Sequence, residues 1–107
     1  MVAIERSFGH HGVAVSQVSA APELCDSAAC TGVDIWGASG RVVYLGPRRG
    51  RDFMIAVFPT AADARRIGAF ERTKGGMGAD VRGAALLVYL PSSARIAQLR
   101  AALAGVR

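Results

Sequence analysis

The sharpest polar feature of the sequence is a cluster of three arginines. Residues 46–51 read GPRRGR, so Arg48, Arg49 and Arg51 lie on a segment that glycine and proline favour as a turn. Guanidinium groups bind phosphate and carboxylate through paired hydrogen bonds, and clustered cations neutralise the phosphates of a nucleic acid. We predict these three arginines as anion-binding residues. The alternative interpretation is a solvated basic turn or a loop that faces a protein.

Both histidines of the chain lie near the N-terminus, close to a serine, so this stretch is the candidate for catalysis or metal binding by histidine. His10 and His11 are the two histidines, and Ser7 precedes them. Adjacent side chains of an extended segment point to opposite faces, which disfavours joint metal ligation. Ser7 lacks the Gly-x-Ser-x-Gly setting of a nucleophile elbow. We therefore predict no metal site, no cofactor and no catalytic residue, and we do not expect an enzyme.

The two cysteines, Cys25 and Cys30, are too few for a disulfide scaffold or a four-cysteine zinc site. We predict a helix over residues 22–30, because Pro22 suits a first helical turn and Gly32 follows its end. A spacing of five on a helix separates two Cα atoms by about 140° and roughly 8–9 Å, beyond the usual span of a disulfide. The prediction is two unpaired thiols that bind no metal. A bridge would need the segment to unwind near residues 29–31.

A glycine-rich segment in the second half resembles a phosphate loop only in composition. Residues 74–78 read KGGMG. In a Walker loop the lysine follows the glycines and opens a helix, whereas Lys74 precedes them and follows a predicted helix. We predict a flexible connector here.

The elements that must position these residues are clearest in the second half. Two continuous apolar runs, residues 53–58 and 84–90, are each followed by a proline and are typical of buried strands. A helix is predicted after each run. Thr60 and Asp63 form a shortened capping box for the first helix, whereas the second is capped by Ser92 or Ser93. The inward stripe of the first helix is expected to comprise Ala64, Ile67, Gly68 and Phe70, with Glu71 among the residues that face water.

The first half predicts a strand over residues 12–18 and a short hairpin over residues 33–45. Residues 1–11 are a candidate flexible segment, and the alternative for residues 1–5 is an edge strand. With the helix over residues 22–30, this order predicts one α+β domain over residues 1–107. The preferred fold is a ferredoxin-like split β-α-β sandwich with an added C-terminal helix, and the alternative is a three-layer thioredoxin-like fold. The predicted core comprises Val15, Val57, Phe58, Ile67, Phe70, Leu87, Tyr89, Leu99 and Leu103.

The hairpin carries more apolar surface than one small hairpin face can bury. Trp36, Val42 and Tyr44 lie on it, and Asp34 and Arg41 are its only ionised residues. Aromatic residues are enriched at the cores of interfaces. We predict Trp36, Val42 and Tyr44 as a contact surface for a protein partner or a homodimer. The alternative is that both rings complete the domain core.

Charge and hydropathy disfavour a membrane-spanning protein and leave a binding function as the main expectation. The net charge is +5, and the whole excess lies in residues 54–107. No apolar run approaches the roughly 18 residues of a membrane span. Because no catalytic set is assembled, the leading hypothesis is a non-enzymatic protein-binding or regulatory module. The alternative is an anion or nucleic-acid binder that uses the arginine-rich turn and the basic second half.

Residues 55–66 (IAVFPTAADARR), followed by residues 81–88 (VRGAALLV), carry a family resemblance. In hydrophobic pattern and alanine-arginine texture, the last fifty residues or so resemble the second half of small uncharacterised lipoprotein-type domains of high-GC bacteria. The chain departs from that pattern because no signal or lipid-attachment cysteine stands at its start. The resemblance implies a cell-envelope location, as for an excised mature domain, and no catalysis. The sequence as given implies a cytoplasmic location.

Overall fold

An antiparallel sheet forms the centre of the domain. The computed structural model describes residues 2–19, 24–26, 29–31, 39–73 and 77–106. The helices and strands, in chain order, are α1 (Val2–His10), β1 (Val15–Val18), β2 (Leu24–Asp26), β3 (Ala29–Thr31), β4 (Val43–Pro47), β5 (Phe53–Val57), α2 (Ala61–Thr73), β6 (Gly78–Arg82), β7 (Ala85–Tyr89) and α3 (Ile96–Ala104).

The main sheet has five strands in the order β1-β4-β5-β7-β6, and every neighbouring pair is antiparallel. Strands β5 and β7 are the apolar runs of the sequence, and both lie inside the sheet. Four of the five residues of each strand are buried. Because successive side chains of a strand point to opposite faces, such a run requires cover on both sides.

Helices supply this cover from both faces of the sheet. On one face, α1 and α3 contribute Phe8 and Leu99 to a core that includes Phe53, and the Phe8 and Phe53 rings stack with centroids 6.3 Å apart. On the other face, α2 contributes Ile67 to a core that includes Met54. The domain therefore has three layers with the sheet in the middle. None of the helices described here is long and apolar enough to cross a membrane.

This arrangement confirms the predicted α+β class, but neither finer fold assignment. The ferredoxin-like order places a helix between the first two strands of the sheet. Here β1 pairs with β4, and the chain between them contains the separate two-stranded β2–β3 sheet. Helices on both faces agree with three layers, yet all the pairs of the five-stranded sheet are antiparallel.

The helix predicted over residues 22–30 is wrong where the structure describes this segment. Residues 24–26 and 29–31 are the antiparallel strands β2 and β3. Pro22 and Gly32 indicated the two ends of a helix, but the pattern of so short a segment does not separate helix from strand. Cross-strand pairing decides the outcome, and it places Cys25 opposite Cys30.

The N-terminal segment was predicted to be flexible, whereas the structure has a helix there. Ile4 and Phe8 of α1 are buried, and Phe8 is 0% exposed. Their spacing of four residues is one helical turn, which is the sequence signal for this element. The helix ends in a turn where Gly12 has a φ of 76°.

Most of the predicted core is confirmed, and one helix face is corrected. Of the predicted core residues, Phe70 is 37% exposed, and Val57 and Tyr89 are partly buried. Glu71, predicted to face water, is instead buried. Each residue of a helix rotates by about 100°, so the stripe through Ala64, Ile67 and Glu71 leaves Phe70 at its margin. The remaining six predicted core residues are buried: Val15, Phe58, Ile67, Leu87, Leu99 and Leu103.

Of the capping box predicted at the start of α2, the hydrogen bond to Thr60 is confirmed. The Asp63 N–H donates to the Thr60 hydroxyl oxygen at 3.1 Å. The Asp63 carboxylate does not close the capping box. It accepts hydrogen bonds from the N–H and the hydroxyl of Ser39, at 3.0 and 2.6 Å. The start of α2 is thereby attached to the chain that enters β4.

Candidate functional site

The arginine cluster lies on the turn between β4 and β5, at one end of the sheet. Arg48, Arg49 and Arg51 are all exposed, as the sequence predicted for a turn. Gly50 has a φ of 84°, a left-handed conformation that glycine adopts without strain. We call residues 48–51 the arginine turn.

Backbone hydrogen bonds hold the arginine turn from both sides. The Arg48 N–H donates to the Ala14 carbonyl at 3.1 Å, just before β1. At the other end, the Leu90 N–H donates to the Asp52 carbonyl at 2.8 Å, just after β7. The turn is therefore tied to the two strands that flank the β4–β5 pair.

A side-chain pair adds a third attachment. Arg95 donates through Nε and Nη2 to the two oxygens of the Asp52 carboxylate, at 2.9 and 2.8 Å. Its Nη2 also donates to the Arg49 carbonyl at 3.1 Å. The Ser93 hydroxyl donates to the same carboxylate at 2.7 Å. This two-point geometry is the strong form of an arginine–carboxylate pair, and it reaches the backbone of the turn itself.

The charge of the Asp52–Arg95 pair is compensated internally. The hydrogen bond from Arg95 is the main cause that lowers the pKa of the Asp52 carboxyl. The same bond raises the pKa of Arg95. The pair is about three-quarters buried, and the Arg95 guanidinium lies 5.0 Å from the centroid of the Phe53 ring. The Asp52 charge is therefore compensated by Arg95, and Arg48, Arg49 and Arg51 are three further cations at this end of the sheet.

Arg95, Asp52 and Ser93 were not predicted as site residues. Ser93 was predicted to cap α3, yet the N-cap is Arg95 and no side chain caps the helix. Arg95 lies 43 residues after Asp52, so no local spacing signals their contact. The sequence signal that could have indicated a site residue here is Asp52, an aspartate that directly follows the arginine cluster.

The hairpin predicted over residues 33–45 is corrected in its second strand, because residues 43–45 belong to β4, whose two neighbours in the sheet are β1 and β5. The contact surface predicted on it is only partly described. Trp36 lies outside the described residues. Val42 and Tyr44 are half-buried and pack against the core on the α2 side, and burial raises the pKa of the Tyr44 phenol. Both also line a surface groove of about 400 Å³ together with Arg41. Their use as an interface for a partner or a homodimer stays a prediction.

The histidines lie in a cleft between α1 and the end of α3. His10, His11 and Arg6 line this cleft, which has a volume of about 440 Å³. The Ser7 hydroxyl donates to the Ala102 carbonyl at 2.6 Å. His11 Nδ1 contacts the Ser7 carbonyl oxygen at 2.8 Å, and because a carbonyl only accepts, Nδ1 is the donor. The Ser7 hydroxyl and the His11 ring thus each donate to a backbone carbonyl, and these bonds do not join the two side chains.

Metal-ligating side chains do not gather in the described part of the chain, where no group of three or more could hold an ion. The glycine-rich residues 74–76 lie outside the described residues, and the segment after them enters β6. The predictions of no metal and no cofactor stay predictions.

Comparisons of the chain with family models, curated proteins and solved structures find no match. The resemblance to lipoprotein-type domains therefore stays a prediction as well.

Proposed function

We propose that this protein is a small non-enzymatic binding module whose arginine turn contacts an acidic protein partner. The observation that carries the proposal is the attachment of the turn by Arg95. Its guanidinium bonds both the Asp52 carboxylate and the Arg49 carbonyl. Three exposed guanidinium groups are thereby displayed on a backbone that is already in place.

A turn fixed in this way loses little conformational entropy when a partner binds. Ordering costs are a large part of what association must overcome, so a preorganised surface gains affinity without new contacts. The remaining cost is the ordering of the arginine side chains. Carboxylates suit them, because a guanidinium group offers paired donors in a planar fork.

The aromatic content of the site favours a protein over a nucleic acid. Proteins that bind single strands usually stack bases on exposed rings beside a basic groove. The ring at this turn, Phe53, is 0% exposed and lies beneath Arg95. It is unavailable for stacking, so charge is the main property that the turn presents.

The test uses a fluorescently labelled glutamate-rich peptide as the probe, with binding followed by anisotropy at low salt. The double variant Arg48→Gln/Arg49→Gln removes two charges from the turn. The matched control, Arg41→Gln/Arg65→Gln, removes two exposed charges elsewhere. We expect the turn variant to bind the peptide at least about fivefold more weakly than the control. Charges in direct contact with the peptide contribute more to affinity than charges that only add to the long-range attraction. Equal weakening in both variants would overturn the proposal.

A second titration uses a single-stranded DNA homopolymer. Three phosphate contacts would give a slope of log K against log salt of about −2. Tighter binding to the homopolymer than to the peptide, with the slope reduced to about −0.7 in the turn variant, would replace the acidic protein by a nucleic acid.

A further inference from the structure

Strands β2 and β3 bring the two cysteines of the chain to one cross-strand position. The register pairs Leu24 with Thr31, Cys25 with Cys30, and Asp26 with Ala29. This pairing removes the geometric objection to a bridge. On a helix the Cα atoms would be too far apart, but the segment is a strand pair.

Directly opposed residues of antiparallel strands have fixed backbone separations. Their Cα atoms lie about 4.5 Å apart in a non-hydrogen-bonded pair and about 5.5 Å apart in a hydrogen-bonded pair. Disulfides span Cα separations of about 4.4–6.8 Å, so both kinds of pair fall within the range. We infer that Cys25 and Cys30 form a reversible internal disulfide across the β2–β3 pair, by exchange with a small-molecule disulfide such as oxidised glutathione.

The exchange proceeds in two displacements. The thiolate of one cysteine attacks the S–S bond of glutathione disulfide, which forms a mixed disulfide and releases one glutathione thiolate. The thiolate of the other cysteine then attacks the protein sulfur of that mixed disulfide and releases the second glutathione thiolate. The two protein thiols lose two electrons and two protons in total. One glutathione disulfide is reduced to two glutathione molecules.

The bond would act on a short element. Each strand of the pair has three residues, and an isolated two-stranded hairpin is only marginally stable in water. A covalent link across the pair restricts the unfolded chain and favours the paired register. Oxidation would therefore favour the β2–β3 pairing, and reduction would remove that constraint.

The experiment treats the full chain with mixtures of oxidised and reduced glutathione, then quenches with acid and measures the intact mass. The wild type is expected to lose about 2 Da and to carry no glutathione, because the second thiol displaces it. The matched variants Cys25→Ser and Cys30→Ser have no second thiol, so each is expected to keep a bound glutathione. A protease that cleaves before aspartate cuts at Asp26, between the two cysteines. The disulfide should hold the two resulting peptides together until it is reduced.

The register is tested by repeating the equilibrium in urea. Because folding aligns the pair, the equilibrium constant for closure is expected to be about tenfold higher in the native chain than in the unfolded chain, or more. An equal constant in both states would overturn the inference. Glutathione retained on both cysteines, a disulfide-linked dimer, or no reaction of the native chain would each overturn it too.

Discussion

At the scale of single residues, Arg95 links the chemistry of the site to the stability of the fold. Its guanidinium bonds Asp52 and the Arg49 carbonyl while it covers the Phe53 ring. Its removal would leave a partly buried carboxylate without its cation, which costs more than an exposed pair would. The residue that positions the proposed binding surface is therefore one that a partner need not touch.

The Asp52–Arg95 pair predicts how stability depends on pH. Because the pKa of Asp52 is lowered in the folded state, its contribution is present above the unfolded value of about 4 and is lost as pH falls through the folded value. Asp52→Asn should cost about 1 kcal/mol near pH 7 and flatten the acid side of the stability curve. Urea unfolding at several pH values measures both effects. Glu5→Gln, at an exposed carboxylate, is the control. An unchanged acid limb in Asp52→Asn would contradict the assignment.

At the scale of elements, two helical glycines differ in the space that is available for an added Cβ atom. A Cβ at Gly68 of α2 would lie 2.7 Å from Val81 Cγ2 and 3.2 Å from Leu86 Cδ1, whereas a Cβ at Gly9 of α1 meets nothing within 4 Å. Gly68 therefore allows α2 to approach the β6–β7 pair closely. Gly9 has no such role.

Alanine at these two positions should change stability in opposite directions. Gly9→Ala is expected to stabilise the fold by about 0.5–1 kcal/mol through helix propensity. Gly68→Ala is expected to destabilise it by about 1–3 kcal/mol, because the added methyl forces α2 from the sheet. Denaturant midpoints of the two variants measure the difference. Two shifts of the same sign would show that the packing of α2 is described wrongly.

The elements that sequence predicts well are those whose pattern is long and has clear ends. The apolar runs that became β5 and β7 and the helices after them are confirmed. The helix predicted over residues 22–30 was wrong. Its end signals favour a helix, whereas in the structure residues 24–26 pair with residues 29–31 as strands. Strand β6 was missed because its alternation is brief and follows a glycine-rich stretch.

At the scale of the whole molecule, the candidate site is assembled from three distant parts of the chain. The arginine turn and Asp52 come from residues 48–52, the chain before β1 supplies Ala14, and the segment before α3 supplies Ser93 and Arg95. Sequence predicted the arginines, because their clustering is local. It did not predict their attachment, since a contact that spans 43 residues depends on how the sheet brings β5 and the end of β7 together.

The central claim is that partners bind at the arginine turn rather than at the predicted hairpin surface. The most direct measurement is a titration of the isotope-labelled protein with the glutamate-rich peptide, followed by backbone amide NMR shifts. We predict that the largest shifts fall on residues 48–52 and Arg95, and that they are lost in Arg48→Gln/Arg49→Gln. Shifts centred on Val42 and Tyr44, with the arginine turn unchanged, would contradict the account.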